Sequence, residues 1–167
     1  MARQSAGLLV FRRAEGRLEL LLAHPGGPFF QRKDLGVWTI PKGEYEEDEP
    51  PEAAAEREFA EEVGLVAPDG VWLDLGEVRQ ASGKRVRAFA VEGDLDTTGA
   101  VSNLFEMEWP PGSGTRGEYP EVDRVEWFEP EEARRRLNPA QVAFVDRLTT
   151  LTGASVATDS GTPVDPH

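Results

Sequence analysis

Residues 43–65 read GEYEEDEPPEAAAEREFAEEVGL, from Gly43 to Leu65. Pro50 and Pro51 stand where a helix can begin, because a proline in the first turn gives up an N–H that would have no partner there. Asp48 or Glu49 is placed to cap that end, and Gly64 is a stop signal at the other. Between them Ala55, Phe59 and Val63 recur every four residues, which predicts a helix with one apolar stripe turned to a core. Glu58, Glu61 and Glu62 follow one another at helical spacing, so they project together from a different face.

Carboxylates gathered this closely raise one another's pKa and weaken the helix that carries them. The crowding is local: from Glu44 to Glu62 ten acidic residues accompany one basic residue, Arg57, in a chain whose net charge is -13. On composition alone a solvated acidic helix accounts for such a run. A sharper reading is an oxygen-ligand site for Mg²⁺ or Mn²⁺, hard cations that share their coordination shell with substrate phosphates. Metals in such a site neutralise phosphate oxygens and acidify bound water, and positioning with charge stabilisation supplies most of the rate in phosphoryl chemistry. Arg57 cannot ligate a metal, but a charge-assisted hydrogen bond from it would fix a carboxylate rotamer. Gly43 and Gly64 bracket the unit, where bends favour small residues.

Outward from this stretch, Ala6–Arg13 and Leu18–His24 read as two strands around an Ala14–Glu15–Gly16 turn, a hairpin. Pro25–Gly36 is a Gly- and Pro-rich loop, and Val37–Ile40 a short strand stopped by Pro41. Beyond the helix, Val71–Gln80 and Arg85–Val91 read as strands around Ser82–Gly83, the second with the alternation of a partly exposed strand. Phe105–Trp109 and Asp123–Phe128 are further strands, with Pro110–Pro120 a loop between them. Pro130–Leu137 and Pro139–Leu151 are helices, and the small polar tail 153–167 is expected to be disordered. Hairpins with about three helices predict an α/β (α+β) domain with a mixed β-sheet over residues 1–152.

Composition excludes several classes. Hydrophobic residues at 39% and charged residues at 29% suit a soluble globular chain. No apolar run reaches the roughly 18 residues of a membrane span, and Met1–Gly7 lacks the layout of a secretory leader, so a cytoplasmic protein is expected. With no cysteine and two histidines, thiolate and His-rich metal sites are excluded. The acidic balance disfavours nucleic acid and anionic membranes as partners.

The opening stretch resembles the Nudix box, G-x5-E-x7-R-E-U-x-E-E-x-G-U with U a bulky apolar residue. Gly43, Glu49, Arg57, Glu58, Phe59, Glu61, Glu62, Gly64 and Leu65 each fall on a fixed position, a chance match on the order of one in a million at average residue usage. Trp38–Lys42 (WTIPK) resembles the segment that commonly precedes the box, and Trp127–Phe128 with Glu131–Ala133 the usual last strand and helix. The resemblance covers about Ser5 to Leu151 and implies a Nudix-type α/β/α sandwich. It implies a Mg²⁺- or Mn²⁺-dependent pyrophosphohydrolase that cleaves a nucleoside diphosphate linked to another moiety. Glu58, Glu61 and Glu62 are then the metal residues, with Glu58 also taking part in proton transfer and Arg57 and Glu49 bracing. Family members recruit a base from several places. Here Glu121, six residues before Trp127, is the first candidate for base or extra metal ligand, and Glu118 is its rival. A homodimer is one assembly that the resemblance implies.

Substrate phosphates call for further cations, and Lys42 and Lys84 are the first candidates, with Arg85 and Arg87 behind them. Phe29, Phe30, Trp38 and Trp109 could stack on a base, although core packing suits Trp38 better. His24 is read as structural or as a substrate contact. The segment Arg79–Gln80–Ala81 lacks the proline associated with ADP-ribose hydrolases, Ala81–Ser82–Gly83 lacks the tyrosine often carried by dinucleoside polyphosphate hydrolases, and the NADH-pyrophosphatase pattern is missing. The layout resembles small housecleaning nucleotide hydrolases or bacterial-plant-type dinucleoside polyphosphate hydrolases. His24–Lys33 (HPGGPFFQRK) is an insert able to close over a ligand. The other classes weighed are an RNA-cap hydrolase, for which a basic stripe is missing, and a non-catalytic nucleotide sensor, for which intact box carboxylates are unexpected.

Overall fold

A computed structural model describes residues 4–100 and 102–153. Its sheet is organised around β1 (Gln4–Ala14), whose residues Ala6–Val10 are wholly or almost wholly removed from solvent. Such a strand has both faces covered and both edges paired. On one edge it runs parallel to β5 (Arg85–Glu92), and β4 (Leu73–Arg79) pairs antiparallel to the far side of β5.

The other edge of β1 is shared. Phe11–Ala14 pair antiparallel with β2 (Arg17–Pro25), as the hairpin reading predicts. Towards the start of β1 the two strands part, and the chain from Trp38 to Glu44 enters between them. Thr39 bridges to Ala23, Leu8 N–H donates to the Pro41 carbonyl at 3.1 Å, and β3 (Lys42–Glu44) pairs with Ser5–Gly7. The expected strand at 37–40 is therefore reduced to isolated bridges, and the regular pairing lies just after Pro41. On the far side of β2 lies β8 (Val122–Phe128), giving the order β4-β5-β1-β2-β8 with β3 beside β1. The sheet is mixed, as expected.

Helix α1 (Pro51–Val63) covers one face, burying Ala54, Ala55, Phe59 and Val63 against Ala6, Leu8, Val10, Leu21, Phe89 and Val91. Burial of the Phe59 ring alone is worth about 1.5–3 kcal/mol relative to exposure. On the opposite face, α2 (Pro130–Arg136) and α3 (Val142–Thr152) cover Leu9, Leu20, Leu22, Val86 and Ala88 with Ala133, Phe144 and Leu148. Helix, sheet and helix layers make the expected sandwich. Among the described residues no helix is long and apolar enough to cross a membrane.

Three local expectations change. Pro50 occupies the cap position of α1 with no side-chain cap bond, because the Glu49 carboxylate is drawn away by Arg57. Strand β5 is interior: Phe89 is buried beneath α1, and only Arg85 and Arg87 keep that face half open. The segment expected as a loop up to Pro120 contains β7 (Arg116–Pro120), which pairs with β6 (Leu104–Glu108) in a separate two-stranded ribbon. Backbone pairing with β6 overrides its Gly and Pro content. The expectation for the tail falls, beyond Gly153, outside the described residues.

Candidate active site

Three segments meet at the carboxylate face of α1: the helix itself, the β3 entry wedged between β1 and β2, and the chain leading into β8. The helix ends at Gly64, whose φ of 71° and N–H bond of 2.8 Å to the Ala60 carbonyl close the last turn. That left-handed position favours glycine.

Glu58 and Arg57 form the centre of a tight ionic arrangement. Arg57 grips Glu49 with two bonds, Nε to Oε2 at 3.0 Å and Nη2 to Oε1 at 2.9 Å, and donates from Nη1 to Glu58 Oε2 at 2.7 Å. A longer contact of 3.5 Å reaches Glu61 Oε1. One guanidinium thus ties the strand-to-helix link to the helix face, and its charge is held beyond any ordinary titration by the Glu49 bonds and those to Glu58. The Glu49 carboxyl is held below its usual range by the same bonds.

Gly43 explains why Glu58 can lie where it does. A Cβ at Gly43 would fall 1.9 Å from Glu58 Oε1 and 2.1 Å from its Cδ. Close approach, more than a backbone bend, is what excludes a side chain there. The Glu58 side chain is only 13% exposed, whereas that of Glu61 is 43% exposed.

Glu62 turns to the β3 entry, where the Lys42 N–H donates weakly to its Oε1 at 3.5 Å. Burial, with the fields of Glu121 and Glu58 added, pushes its carboxyl up to about 7 against the nearby Lys42 charge. Burial likewise raises Glu58, opposed by Arg57, and raises Glu121, where the field of Glu61 adds to it. The Lys42 ammonium is lowered by burial and then by neighbouring Lys84. Lys84 stands 3.5 Å from Glu44. The four carboxylates of Glu58, Glu61, Glu62 and Glu121 are therefore within each other's electrostatic reach, with Lys42 and Lys84 beside them.

Other candidates lie elsewhere. Arg87 donates to Asp74 at 2.7 Å and Arg85 pairs with Glu77 at 3.3 Å, so cross-strand partners on β4 engage both. Glu118 is exposed on β7 opposite Glu106. Trp38 is buried edge-on against His24 and Phe128, which makes it core. Phe29 is 52% exposed with Lys33 over its ring at 5.0 Å, and Phe30 meets it edge-on. Trp109 closes the β6–β7 ribbon through a bond to the Thr115 carbonyl. His24 is buried, with Nδ1 2.8 Å from Asp123 and Nε2 2.7 Å from the Lys33 carbonyl. The chain just beyond the expected ligand-covering insert is pinned to α2, since Arg136 donates to Asp34 and Gly36 N–H donates to the Arg135 carbonyl, and Trp38 also donates to Asp34.

The donor set fits a hard divalent cation: all oxygen, mutually repelling, partly buried, and offset by few cations. Among the described residues no three acidic or histidine side chains are already closed around a common point. Glu58 and Glu61 lean on Arg57 while Glu62 leans on the β3 backbone. If Arg57 presets these rotamers, Arg57→Lys will keep the charge and lose the fork to Glu49. A fall in catalytic efficiency of about 10–100-fold is expected, with a fold preserved by circular dichroism; unchanged kinetics would contradict the bracing role.

The chain matches the family model described as NUDIX domain over residues 1–148. No curated protein matches it. Solved structures that share the fold include a binary complex of the C. elegans Ap4A hydrolase, at 19% identity and TM-score 0.61, covering 92% of this chain and 100% of that one. The NUDIX domain of Shewanella oneidensis NrtR, complexed with ADP ribose, aligns at 16% identity and TM-score 0.63 over 91% of this chain and 89% of its own. RenU, a Nudix hydrolase from M. smegmatis, aligns at 23% identity and TM-score 0.55 over 90% and 86%.

Proposed function

The chain belongs to the NUDIX family of hydrolases acting on pyrophosphate bonds, and on that premise we propose that it is a Mg²⁺- or Mn²⁺-dependent pyrophosphohydrolase of a nucleoside triphosphate or dinucleoside polyphosphate. The observation that carries this reading is the gathering of Glu58, Glu61, Glu62 and Glu121 beside Arg57, the Lys42 backbone and the Asn103 link, with burial raising the carboxyls of Glu58, Glu62 and Glu121 from their ordinary value. The Ap4A hydrolase among the fold relatives supports the substrate class. ADP-ribose is the runner-up, supported by the NrtR complex.

Glu58, Glu61 and Glu62 would hold the cation, which when bound supplies charge neutralisation at phosphate oxygens and a more acidic water. Glu121 is the group to accept a proton from the attacking water, and burial with the field of Glu61 raises its affinity for that proton. Lys42 and Lys84 would meet the phosphate charge, and Arg57 would keep Glu58 in place. Exposed Phe29 is the aromatic available for a base.

The test is product analysis after incubation with Mg²⁺ or Mn²⁺ and nucleoside triphosphates, dinucleoside polyphosphates and ADP-ribose. Cleavage that depends on the cation and vanishes in Glu62→Gln is expected. Tight binding without cleavage of any of them would instead favour a nucleotide sensor.

Cation binding carries a pH signature. Folding raises the affinity of Glu62 for its proton, so this group favours the folded state below about 4.5 and that contribution is lost as pH rises through about 7. A cation takes over from the proton only when the carboxylate is ionised. Saturating Mn²⁺ is therefore expected to raise the Tm by about 5–10 °C at alkaline pH and by much less at acidic pH. An equal shift at both would contradict the involvement of Glu62.

A further inference from the structure

The β2–β8 ladder is irregular at one point. Ala23 faces Val125 and His24 faces Arg124, but Pro25 faces Val122, so Asp123 is an extra residue on β8. Unbroken alternation would put Asp123 on the α1 face with Val125 and Trp127. The bulge instead turns its carboxylate to the other face, where it meets the buried Nδ1 of His24 at 2.8 Å. Bulges of this kind re-aim the chain that follows or precedes them.

The chain ahead of this bulge is Glu121, and its backbone is held from both sides. Gly26 N–H donates to the Glu121 carbonyl at 2.9 Å, and Glu121 N–H donates to the Asn103 carbonyl at 2.8 Å. Asn103 N–H in turn donates to the Glu61 carbonyl at 3.2 Å, so one residue links the last turn of α1 to Glu121. Ser102 Oγ accepts from Val122 N–H at 3.0 Å. Gly26 is buried, and a Cβ there would fall 2.0 Å from the Pro120 carbonyl oxygen. None but the smallest residue lets the end of β2 come this near.

We propose that the Asp123 bulge, latched by His24 and seated against Gly26, aims Glu121 at the box carboxylates, which makes Gly26, His24 and Asp123 positioning residues. The inference rests on the reading of Glu121 given above. No backbone atom of these three residues needs to touch substrate. Their effect is transmitted through the register of β8 and the placement of the Glu121 carboxylate that precedes it.

The test uses Mn²⁺ alone and the full chain with carboxyl-¹³C-labelled glutamate, each signal assigned by substitution. In the unmodified protein, substoichiometric Mn²⁺ is expected to broaden the carboxyl signals of Glu58, Glu61 and Glu121. In Gly26→Ala, and independently in Asp123→Ala, broadening at Glu121 should fall several-fold while Glu58 and Glu61 keep theirs. Asp123→Asn, whose side-chain amide can donate to or accept from His24 Nδ1, should restore it. Two variants guard against one failing to fold, and far-ultraviolet circular dichroism checks each. Undiminished broadening at Glu121 in both overturns the positioning role alone. Absence of broadening at Glu121 in the unmodified protein overturns the placement of Glu121 itself, and the inference with it.

Discussion

Glu61→Gln is expected to lower kcat about a thousandfold, equivalent to roughly 4 kcal/mol of transition-state stabilisation, with the fold intact. Glutamine keeps the size and helix propensity of glutamate but removes the anionic oxygen donor. Glu61 is the most exposed of the three box carboxylates in its contacts, touching Arg57 only at 3.5 Å, so little structure depends on its charge. Loss of that charge should even relieve repulsion on Glu58 and Glu121, whose carboxyls it helps to raise. The variant should therefore melt at or slightly above the parent temperature without cation and gain less from Mn²⁺. Steady-state kinetics with the nucleotide cleaved fastest, paired with a melting curve, checks both halves. Activity within a few-fold of the parent would remove Glu61 from the cation site.

Gly43→Ala should fail for a different reason. The added methyl group would occupy space already filled by the Glu58 carboxylate, at 1.9 Å from Oε1. Either β3 leaves its place beside Ser5–Gly7 or Glu58 leaves Arg57. Overpacking of this kind costs about 1–3 kcal/mol, and the displaced carboxylate should lower turnover by at least about tenfold, the rate equivalent of about 1.4 kcal/mol. Chemical denaturation and kinetics measure the two effects separately. A variant with parental stability and turnover would show that Glu58 has room to spare.

The helix and its acidic face were legible because both are written within one short stretch. Four-residue recurrence of Ala55, Phe59 and Val63 is a local signal, and so is the spacing of Glu58, Glu61 and Glu62. Gly64 at a left-handed position is equally local. What the sequence hid are relations between distant segments. Pairing of β7 with β6 depends on a partner strand and overrides a Gly- and Pro-rich composition. Arg85 and Arg87 resembled phosphate ligands until Glu77 and Asp74 on the adjacent strand engaged them. Glu49 resembled a helix cap because the competing claim of Arg57, eight residues on, cannot be weighed from propensity. The bulge at Asp123 cannot be read from alternation, since apolar residues stand on both faces of this strand at Val122, Val125, Trp127 and Phe128. The proximity of Glu121 to the box, marked in the sequence only by its offset from Trp127, becomes geometric through Asn103 and Gly26.

The parallel pairing of β1 with β5 also bears on how the protein is made. Gln4 aligns with Arg85 and Phe11 with Glu92, so the partner of the first strand is synthesised some eighty residues later. At about 5–20 residues per second, the nascent chain spends roughly 4–16 s with that edge unpaired. During this interval Leu8, Leu9 and Val10 present an apolar strand with open hydrogen-bonding groups, the arrangement most prone to join another chain. The early hairpin with β2 shields the opposite edge only at Phe11–Ala14. Yield during expression should therefore respond to translation speed and to chaperones that hold extended apolar segments, even for variants whose finished fold is as stable as the parent's.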